Sequence, residues 1–298
     1  MRTEWWRELV RCPNCGNDPG GGPQCACGRA FSVSANVLEW ATVSNRAGHA
    51  EPRRRNLGAL IDPLRTPVLP FRYITKWRLE QYYERTLTDR RLAEKWAGHY
   101  LRGLSLPSGA TILDFGCGRG RNIGLLNQLG HRTVGQDLTR KAWWSRLPDS
   151  GFQTGADAST LPWREASFDA VVEVGVIHYL HAETAAAHAR EVRRVLKPGG
   201  VWVLLEANSG SANAGYVRRQ IGQLHDLSTV RRWATDAGLV ELGVSYEGYH
   251  APVLPAYVDF LRKQAVPGPM DLADFDSSLA ARVTPEQRAL WLLRLKKS

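Results

Sequence analysis

Residues 112–122 read ILDFGCGRGRN, and this stretch decides the fold class. An apolar run followed by alternating glycines and a helix-compatible segment is typical of a strand, a tight turn and a helix in succession. Gly116 and Gly118 allow backbone N–H groups to approach a ligand closely, and a helix N-terminus attracts negative charge. Asp114, however, places a carboxylate beside the turn, which would repel a pyrophosphate and attract an ammonium group. The Gly-Lys-Ser/Thr ending of a phosphate-binding loop is also missing.

Short apolar runs alternate with helical patterns after residue 108. The predicted strands lie at 111–115, 132–136, 170–174 and 201–206, and the predicted helices at 121–129, 141–146 and 182–195. A last helix near 229–237 is followed by strand-like runs at 240–246 and 289–295. The alternation predicts βαβ units, and therefore an α/β fold with a parallel sheet and helices on both faces.

Several polar residues follow the ends of the predicted strands. Asp137 comes directly after the strand at 132–136, where a carboxylate is suited to holding a ribose diol. Asp157 lies in the segment GADASTLPW, where it can accept a hydrogen bond from an exocyclic amine such as adenine N6. His178 follows the strand at 170–174, and ligands bind at this edge of open α/β sheets. We therefore expect one ligand site along the carboxyl ends of these strands.

Five segments, in order, carry a family resemblance: LDFGCGRGRN, VGQD, GADASTLPW, FDAVVEVGVIHYL and VLKPGG. Together they resemble the class I S-adenosylmethionine-dependent methyltransferases, particularly the branch that contains the ubiquinone, menaquinone and other small-molecule enzymes. The resemblance implies a Rossmann-like, seven-stranded sheet, S-adenosylmethionine as methyl donor and S-adenosylhomocysteine as product. The cofactor-binding residues that it implies are Asp114, Gly116, Cys117, Gly118, Asn122, Asp137, Leu138, Asp157, Ala158, Val174 and His178.

In this resemblance the two glycines wrap the methionine part, Asp114 organises its amino-acid end, Asp137 holds the ribose, and Asp157 with Ala158 reads adenine. His178 is the candidate catalytic residue, because a histidine with an ordinary pKa near ~6.5 can deprotonate an acceptor. A histidine that only packs against the cofactor is the competing interpretation. The weaker candidates, on neighbouring strand ends or loops, are Tyr179, Glu206, His225, Tyr249 and His250.

The resemblance favours a small metabolite or natural-product intermediate as the methyl acceptor. Two alternatives stay open: an rRNA or tRNA methyltransferase, and a non-catalytic partner protein that keeps only the fold. The Asn/Asp-Pro-Pro-Tyr/Phe tetrapeptide of many enzymes that methylate nucleobase amines does not follow the fourth strand, where the chain reads EVGV.

Four of the five cysteines fall close together, at Cys12, Cys15, Cys25 and Cys27. Four thiolates can close a tetrahedral site and favour a structural zinc ion, with iron as the competitor. The Cys-x-Cys second pair departs from the usual Cys-x-x-Cys, which keeps an iron–sulfur centre or partial ligation open. The run from Cys12 to Val33 resembles the small Trm112-like zinc ribbons. A zinc module before a methyltransferase also resembles the layout of ribosomal-RNA guanine methyltransferases.

These patterns divide the chain into a zinc-ribbon-like module at 1–45, a linker at 46–70 and a methyltransferase domain at 71–298. Within that domain, 71–104 is predicted as an N-terminal helical cap and 247–288 as an insertion on the substrate side. The linker is rich in Arg and Pro and has little periodicity.

Composition limits the broad class of the protein. The chain has 298 residues and a net charge of +10, and residues 1–100 hold 16 Lys and Arg against 10 Asp and Glu. Such a basic flank is compatible with RNA as a partner. We expect a cytoplasmic protein, because no apolar run reaches the ~18 residues of a membrane span and the first residues lack a signal-peptide pattern. The sequence leaves the oligomeric state open.

Overall fold

The computed structural model describes residues 4–41, 84–211, 224–247 and 281–298, together with Ala214 and Arg218. The predicted linker at 46–70, and parts of the predicted cap and insertion, lie outside the described residues. The strands are β1 (Phe31–Ser34), β2 (Val37–Trp40), β3 (Thr111–Phe115), β4 (Arg132–Gln136), β5 (Gly151–Thr154), β6 (Phe168–Val174), β7 (Leu196–Ala207), β8 (Leu239–Glu247) and β9 (Leu290–Lys297). The longer helices are α1 (Arg90–Tyr100), α2 (Arg121–Gln128), α3 (Ala182–Val195) and α4 (Leu227–Asp236). Short 3-10 turns lie at Trp5–Leu9, Ala142–Arg146, Ile177–Tyr179 and Pro285–Gln287.

All nine of these strands form one sheet in the order β1-β2-β5-β4-β3-β6-β7-β9-β8. Five neighbouring strands run parallel, namely β5, β4, β3, β6 and β7. In contrast, β9 is antiparallel to both β7 and β8. The predicted seven-stranded α/β sheet is therefore confirmed as β3 to β9. The hairpin of β1 and β2 lengthens it by pairing β2 parallel to β5.

Helices cover the two faces of the sheet, as the sequence predicts. On one face, apolar residues of β3 and β6 pack with α3 and α4, represented by Val192 and Val230. On the other face, Ile112 and Val172 pack with α1 and α2, represented by Trp96 and Leu125. Because both faces are buried, the central strands β3 and β6 are mainly apolar rather than alternating.

The N-terminal residues 4–41 are held against the rest of the sheet by polar bonds as well as by strand pairing. The Trp40 indole donates to Gln153 Oε1 at 2.7 Å, and both groups are buried. Arg11 pairs with Glu191 of α3 at 3.2 Å, and the Arg164 guanidinium donates to the Val10 carbonyl at 3.1 Å. These bonds join positions that are more than 100 residues apart in the sequence.

Some local predictions were wrong. The helix predicted at 141–146 is only the 3-10 turn Ala142–Arg146, because Trp144 stacks on Phe152 at 4.5 Å and donates its indole N–H to the Gly118 carbonyl. The strand predicted at 201–206 begins earlier, at Leu196, which pairs with Phe168 across a register shift. In the described part of the chain, no helix has the length and apolar character needed to cross a membrane.

Gly151 provides a test of the docking between the N-terminal segment and the sheet. A Cβ at this position would overlap the buried indole of Trp6, whereas a Cβ at Gly98 in α1 would meet nothing within 4 Å. We expect Gly151→Ala to lower the free energy of unfolding by about 1–3 kcal/mol, because a well-packed core resists added volume. Gly98→Ala should raise it by roughly 0.5–1 kcal/mol, because alanine restricts the unfolded chain. Urea unfolding measures the free energy of unfolding of both variants. Equal changes in the two variants would contradict the packing of Trp6 on Gly151.

Candidate functional site

The glycine turn between β3 and α2 is tied to the end of β4. The backbone N–H groups of Gly116 and Cys117 both donate to the Gln136 carbonyl, at 2.8 and 3.0 Å. The N–H of Gly118 donates to Oδ2 of Asp137 at 2.9 Å. Strand pairing places Phe115 opposite Gln136, so these bonds continue the ladder into the turn. The residues predicted from the sequence at the ends of β3 and β4 are therefore brought together.

The two predicted glycines, Gly116 and Gly118, have different surroundings. Gly116 has a φ of +68°, and a Cβ there would overlap the side chain of Val176. Gly118 has a φ of +53°, yet a Cβ there would meet nothing within 4 Å. The positive φ values favour glycine at both positions. Gly116 permits close packing with the segment after β6. Gly118 leaves open space beside its Cα, while its N–H and carbonyl are bonded to Asp137 and Trp144.

Asp114 is a buried carboxylate with one free oxygen. Its side chain lies at the end of β3 with 1% exposure, and Oδ1 accepts from the Asn122 amide at 3.1 Å. Oδ2 is buried without a hydrogen-bond partner among the described residues. Burial raises the pKa of Asp114 to about 7. An orphaned buried acceptor is costly, so this oxygen is suited to a cationic ligand group such as an ammonium.

Asp137 and Leu138 follow the end of β4 next to this turn. The Asp137 carboxylate accepts from the Gly118 and Thr139 N–H groups and lies 3.4 Å from the Lys141 ammonium. Leu138 is a large apolar residue that is 54% exposed. An exposed apolar side chain beside a fixed carboxylate is able to cover a flat aromatic ring while the carboxylate meets a sugar diol.

The predicted adenine segment after β5 is fixed from both sides. The Ala158 carbonyl lies 3.0 Å from His188 Nδ1, and His188 Nε2 lies 3.0 Å from Glu173. The Leu161 N–H donates to Glu191 at 2.8 Å, and the Arg29 guanidinium donates to the Gly155 carbonyl at 3.4 Å. These supporting residues were not predicted from the sequence, because nothing in the local pattern of α3 or of the N-terminal residues marks them.

The side chains of the other predicted residues in this region are placed as follows. The Asp157 carboxylate accepts from the N–H and hydroxyl of Ser159, both at 2.8 Å, and Ala158 is buried. The buried Cys117 thiol points into the core, where it lies close to Gly135 of β4. Its side chain therefore packs against the neighbouring strand. Val174 ends β6 and is half-buried.

His178, which follows β6, and Glu206, near the end of β7, form a buried pair. The distance between His178 Nδ1 and Glu206 Oε2 is 2.6 Å. The other carboxylate oxygen accepts from the Val176 and Ile177 N–H groups, at 2.5 and 2.7 Å. The His178 imidazole lies next to Gly175, where a Cβ would be 3.6 Å away, and Val176, two residues before His178, packs on Gly116 of the glycine turn. The structure thus joins the candidate catalytic histidine to Glu206, one of the five weaker candidates. Two others, Tyr249 and His250, lie outside the described residues.

The four N-terminal cysteines converge on one point. Their sulfur atoms all lie within 4.8 Å of one another, with Cys12 and Cys27 3.7 Å apart and Cys15 and Cys25 3.5 Å apart. These separations are too long for a disulfide and close to the ~3.8 Å expected between thiolates around a tetrahedral zinc ion. The hydrogen bond from the Asn14 amide lowers the pKa of Cys27 to about 6, which favours a thiolate. The donor set therefore fits a structural metal ion.

The central part of the chain is similar to known proteins. Residues 113–204 match the family model described as "Methyltransferase domain". A tRNA (carboxymethyluridine(34)-5-O)-methyltransferase of Arabidopsis thaliana is 40% identical over 98 residues, which cover 32% of this chain and 24% of that protein. A 2-methyl-6-phytyl-1,4-hydroquinone methyltransferase of Synechocystis is 30% identical over 176 residues, which cover 52% of this chain and 54% of that protein.

The fold is also shared with solved structures. Geranyl diphosphate C-methyltransferase from Streptomyces coelicolor A3(2) aligns with a TM-score of 0.51 at 17% identity, covering 73% of this chain and 84% of that chain. The chain spans only about a quarter to a half of the two curated relatives above. Residues 113–204 are thus similar to the methyltransferase-domain family, and the sheet order and the glycine turn of the structure lie within or next to that matched region.

Proposed function

We propose that the protein transfers a methyl group from S-adenosylmethionine to a small-molecule acceptor. The observation that carries this proposal is the buried Oδ2 of Asp114, which lies in β3 just before the glycine turn and has no partner in the described part of the chain. A ligand with an ammonium group would satisfy that oxygen, and the amino-acid end of S-adenosylmethionine carries one.

The remaining residues around the turn fit the rest of the same ligand. Asp137 would accept from the ribose hydroxyls, and Leu138 and Ala158 would contact adenine. The fixed hydrogen bonds of Gly118 to Asp137 and of Ala158 to His188 mean that these groups are in place before the ligand binds. Such preorganisation supplies proximity and alignment, which is most of what methyl transfer needs from a protein. Bound S-adenosylmethionine supplies the activated methyl group, carried on a sulfonium.

His178 is the residue best placed to act on the acceptor. Its imidazole is 7% exposed, so the atom that it meets has to enter a largely buried space. That requirement favours a small acceptor. The hydroquinone methyltransferase relative, which this chain matches over 176 residues, supports a small-molecule acceptor as well.

A tRNA acceptor is the second candidate, because the Arabidopsis relative acts on tRNA according to its name and is 40% identical over its matched region. The net charge of +10 is compatible with that acceptor. Filter binding of total tRNA at two salt concentrations separates the candidates, because phosphate contacts make affinity fall steeply with salt. Tight, salt-dependent binding would favour tRNA, and negligible binding at low salt would remove it.

The cysteine cluster is proposed to bind one structural zinc ion through Cys12, Cys15, Cys25 and Cys27. Four protein thiolates leave no open position, so this ion would have no role in the chemistry. It would instead hold the loops that present Arg11 and Arg29 to the methyltransferase sheet. A non-catalytic partner protein is less compatible with the complete set of residues around the glycine turn.

The nucleoside site is tested by Asp137→Ala. Loss of a carboxylate that holds the ribose should weaken S-adenosylmethionine binding by about 10- to 100-fold, because hydrogen bonds to a charged group contribute roughly 1.5–3 kcal/mol. Isothermal titration calorimetry with the methyl donor provides the measurement. Asp236→Ala, an exposed change in α4, is the matched control and should bind normally. Equal affinity of the Asp137 variant and the wild type would contradict the proposal.

The protonation of Asp114 should make cofactor affinity depend on pH. Only the ionised carboxylate attracts an ammonium, and burial raises its pKa to about 7. Affinity should therefore rise by about 5- to 10-fold between about pH 6 and pH 7.5, with a proton released on binding. Because the folded pKa lies above the unfolded value of 3.8, this carboxyl stabilises the unliganded fold at low pH, and that stabilisation is lost as pH rises through about 7.

Calorimetry in buffers of different ionisation enthalpy measures the proton release. Asp114→Asn should bind weakly and show no pH step of this origin, whereas Asp236→Asn should keep it. The same pH step in the Asp114 variant would assign the titration to another group.

Metal content tests the cysteine cluster. The purified protein should contain about one zinc ion per chain, and Cys15→Ser should lower that content severalfold because it removes one of four ligands. Cys117→Ser is the control, since Cys117 lies in the glycine turn and outside the cluster. Plasma emission spectrometry gives the stoichiometry, and iron in place of zinc, or full zinc in the Cys15 variant, would refute the assignment.

A further inference from the structure

The Glu206 carboxylate is fixed by three donors. Oε1 accepts from the Val176 and Ile177 N–H groups, and Oε2 lies 2.6 Å from Nδ1 of His178. The carboxylate is 2% exposed, and it lies at the end of β7, on the strand next to the one that leads to His178. A buried acceptor held in this way has little freedom to change partners.

This arrangement determines which imidazole nitrogen carries a proton. An ionised carboxylate only accepts hydrogen bonds, so the Nδ1 atom facing it has to be the donor. In a neutral imidazole the other nitrogen, Nε2, then has a lone pair. Nε2 of His178 is buried and has no hydrogen-bond partner in the residues that the structure describes. The lone pair of Nε2 therefore lies in a largely dry space beside Gly175.

On the basis of the proposed function, we infer that Glu206 is a positioning residue that holds His178 in the Nδ1-protonated tautomer, and that the methyl acceptor is a hydroxyl or an amine. Such a group still carries a proton when it meets Nε2. The proton passes to Nε2, the electron pair that it leaves forms the new bond to the methyl carbon, and the electrons of the carbon–sulfur bond go to sulfur. The imidazolium that results is stabilised by the Glu206 carboxylate.

A carboxylate acceptor fits this geometry poorly. It has no proton to give, and its lone pairs would face the lone pair of Nε2 in a space that excludes most water. The 7% exposure of His178 limits how far solvent can relieve that repulsion. Glu206 thus acts on substrate choice through His178, without a contact of its own to the acceptor.

The tautomer is measurable without knowing the acceptor. Long-range ¹⁵N NMR of histidine-labelled protein should show His178 protonated on Nδ1, with His178→Gln identifying its resonances. Glu206→Gln should move His178 towards the Nε2-protonated form, because an amide N–H can donate to Nδ1 while the amide oxygen keeps the Val176 and Ile177 bonds. His181→Gln, an exposed change in the same loop, should leave the His178 signal unaltered. A wild-type His178 protonated on Nε2 would overturn the inference, as would an unchanged tautomer in the Glu206 variant.

The acceptor class is tested with radiolabelled methyl donor and a small-molecule extract of cells that express the protein. Labelled product should survive mild alkali, as methyl ethers and methylamines do. Label released as methanol would identify a methyl ester, and with it a carboxylate acceptor, which would overturn the inference. Glu206→Gln should lower the turnover rate by about 10²- to 10⁴-fold with little change in affinity for S-adenosylhomocysteine. If the wild-type protein does not bind S-adenosylhomocysteine, the proposed function is refuted. The measurement of the His178 tautomer does not depend on that result.

Discussion

The hydrogen bonds between the glycine turn and the end of β4 are the constraint on which the site depends. Two N–H groups of the turn share the Gln136 carbonyl, and a third is held by Asp137. These bonds fix where α2 begins and where the Asp114 carboxylate points, since Asn122 in the first turn of α2 is its partner. They also hold Asp137 beside the turn. One set of backbone bonds thus aligns groups from two strands and one helix, without any contribution from a ligand.

The parts of this fold that depend on local pattern were predictable. The bounds of β3, β4 and α3 agree with the sequence predictions, because each is a continuous apolar or amphipathic run with a clear start and end. The convergence of Asp114, Gly118 and Asp137 was predictable as well, since parallel strands end at one edge of a sheet. The four cysteines were close in sequence, and the structure brings them together.

Other features depend on contacts between distant segments, and no local pattern encodes them. The pairing of β2 with β5 joins two strands of four residues each, which are too short to be distinguished from loops by periodicity. His188 supports Ala158 from α3, where a histidine inside a helix gives no sign of its partner. The pairing of Glu206 with His178 across 28 residues became visible only with the strand order. Tertiary packing decides such cases, and propensity has little weight in them.

The position of β9 also bears on how the sheet is assembled during synthesis. β9 lies between β7 and β8, although it follows both in the chain. Until residues 290–297 emerge from the ribosome, β7 has an unpaired edge next to the centre of the sheet, with its N–H and C=O groups free to pair with other chains. The nascent protein therefore passes through an incomplete, aggregation-prone sheet, and we expect chaperone protection to matter most in that interval.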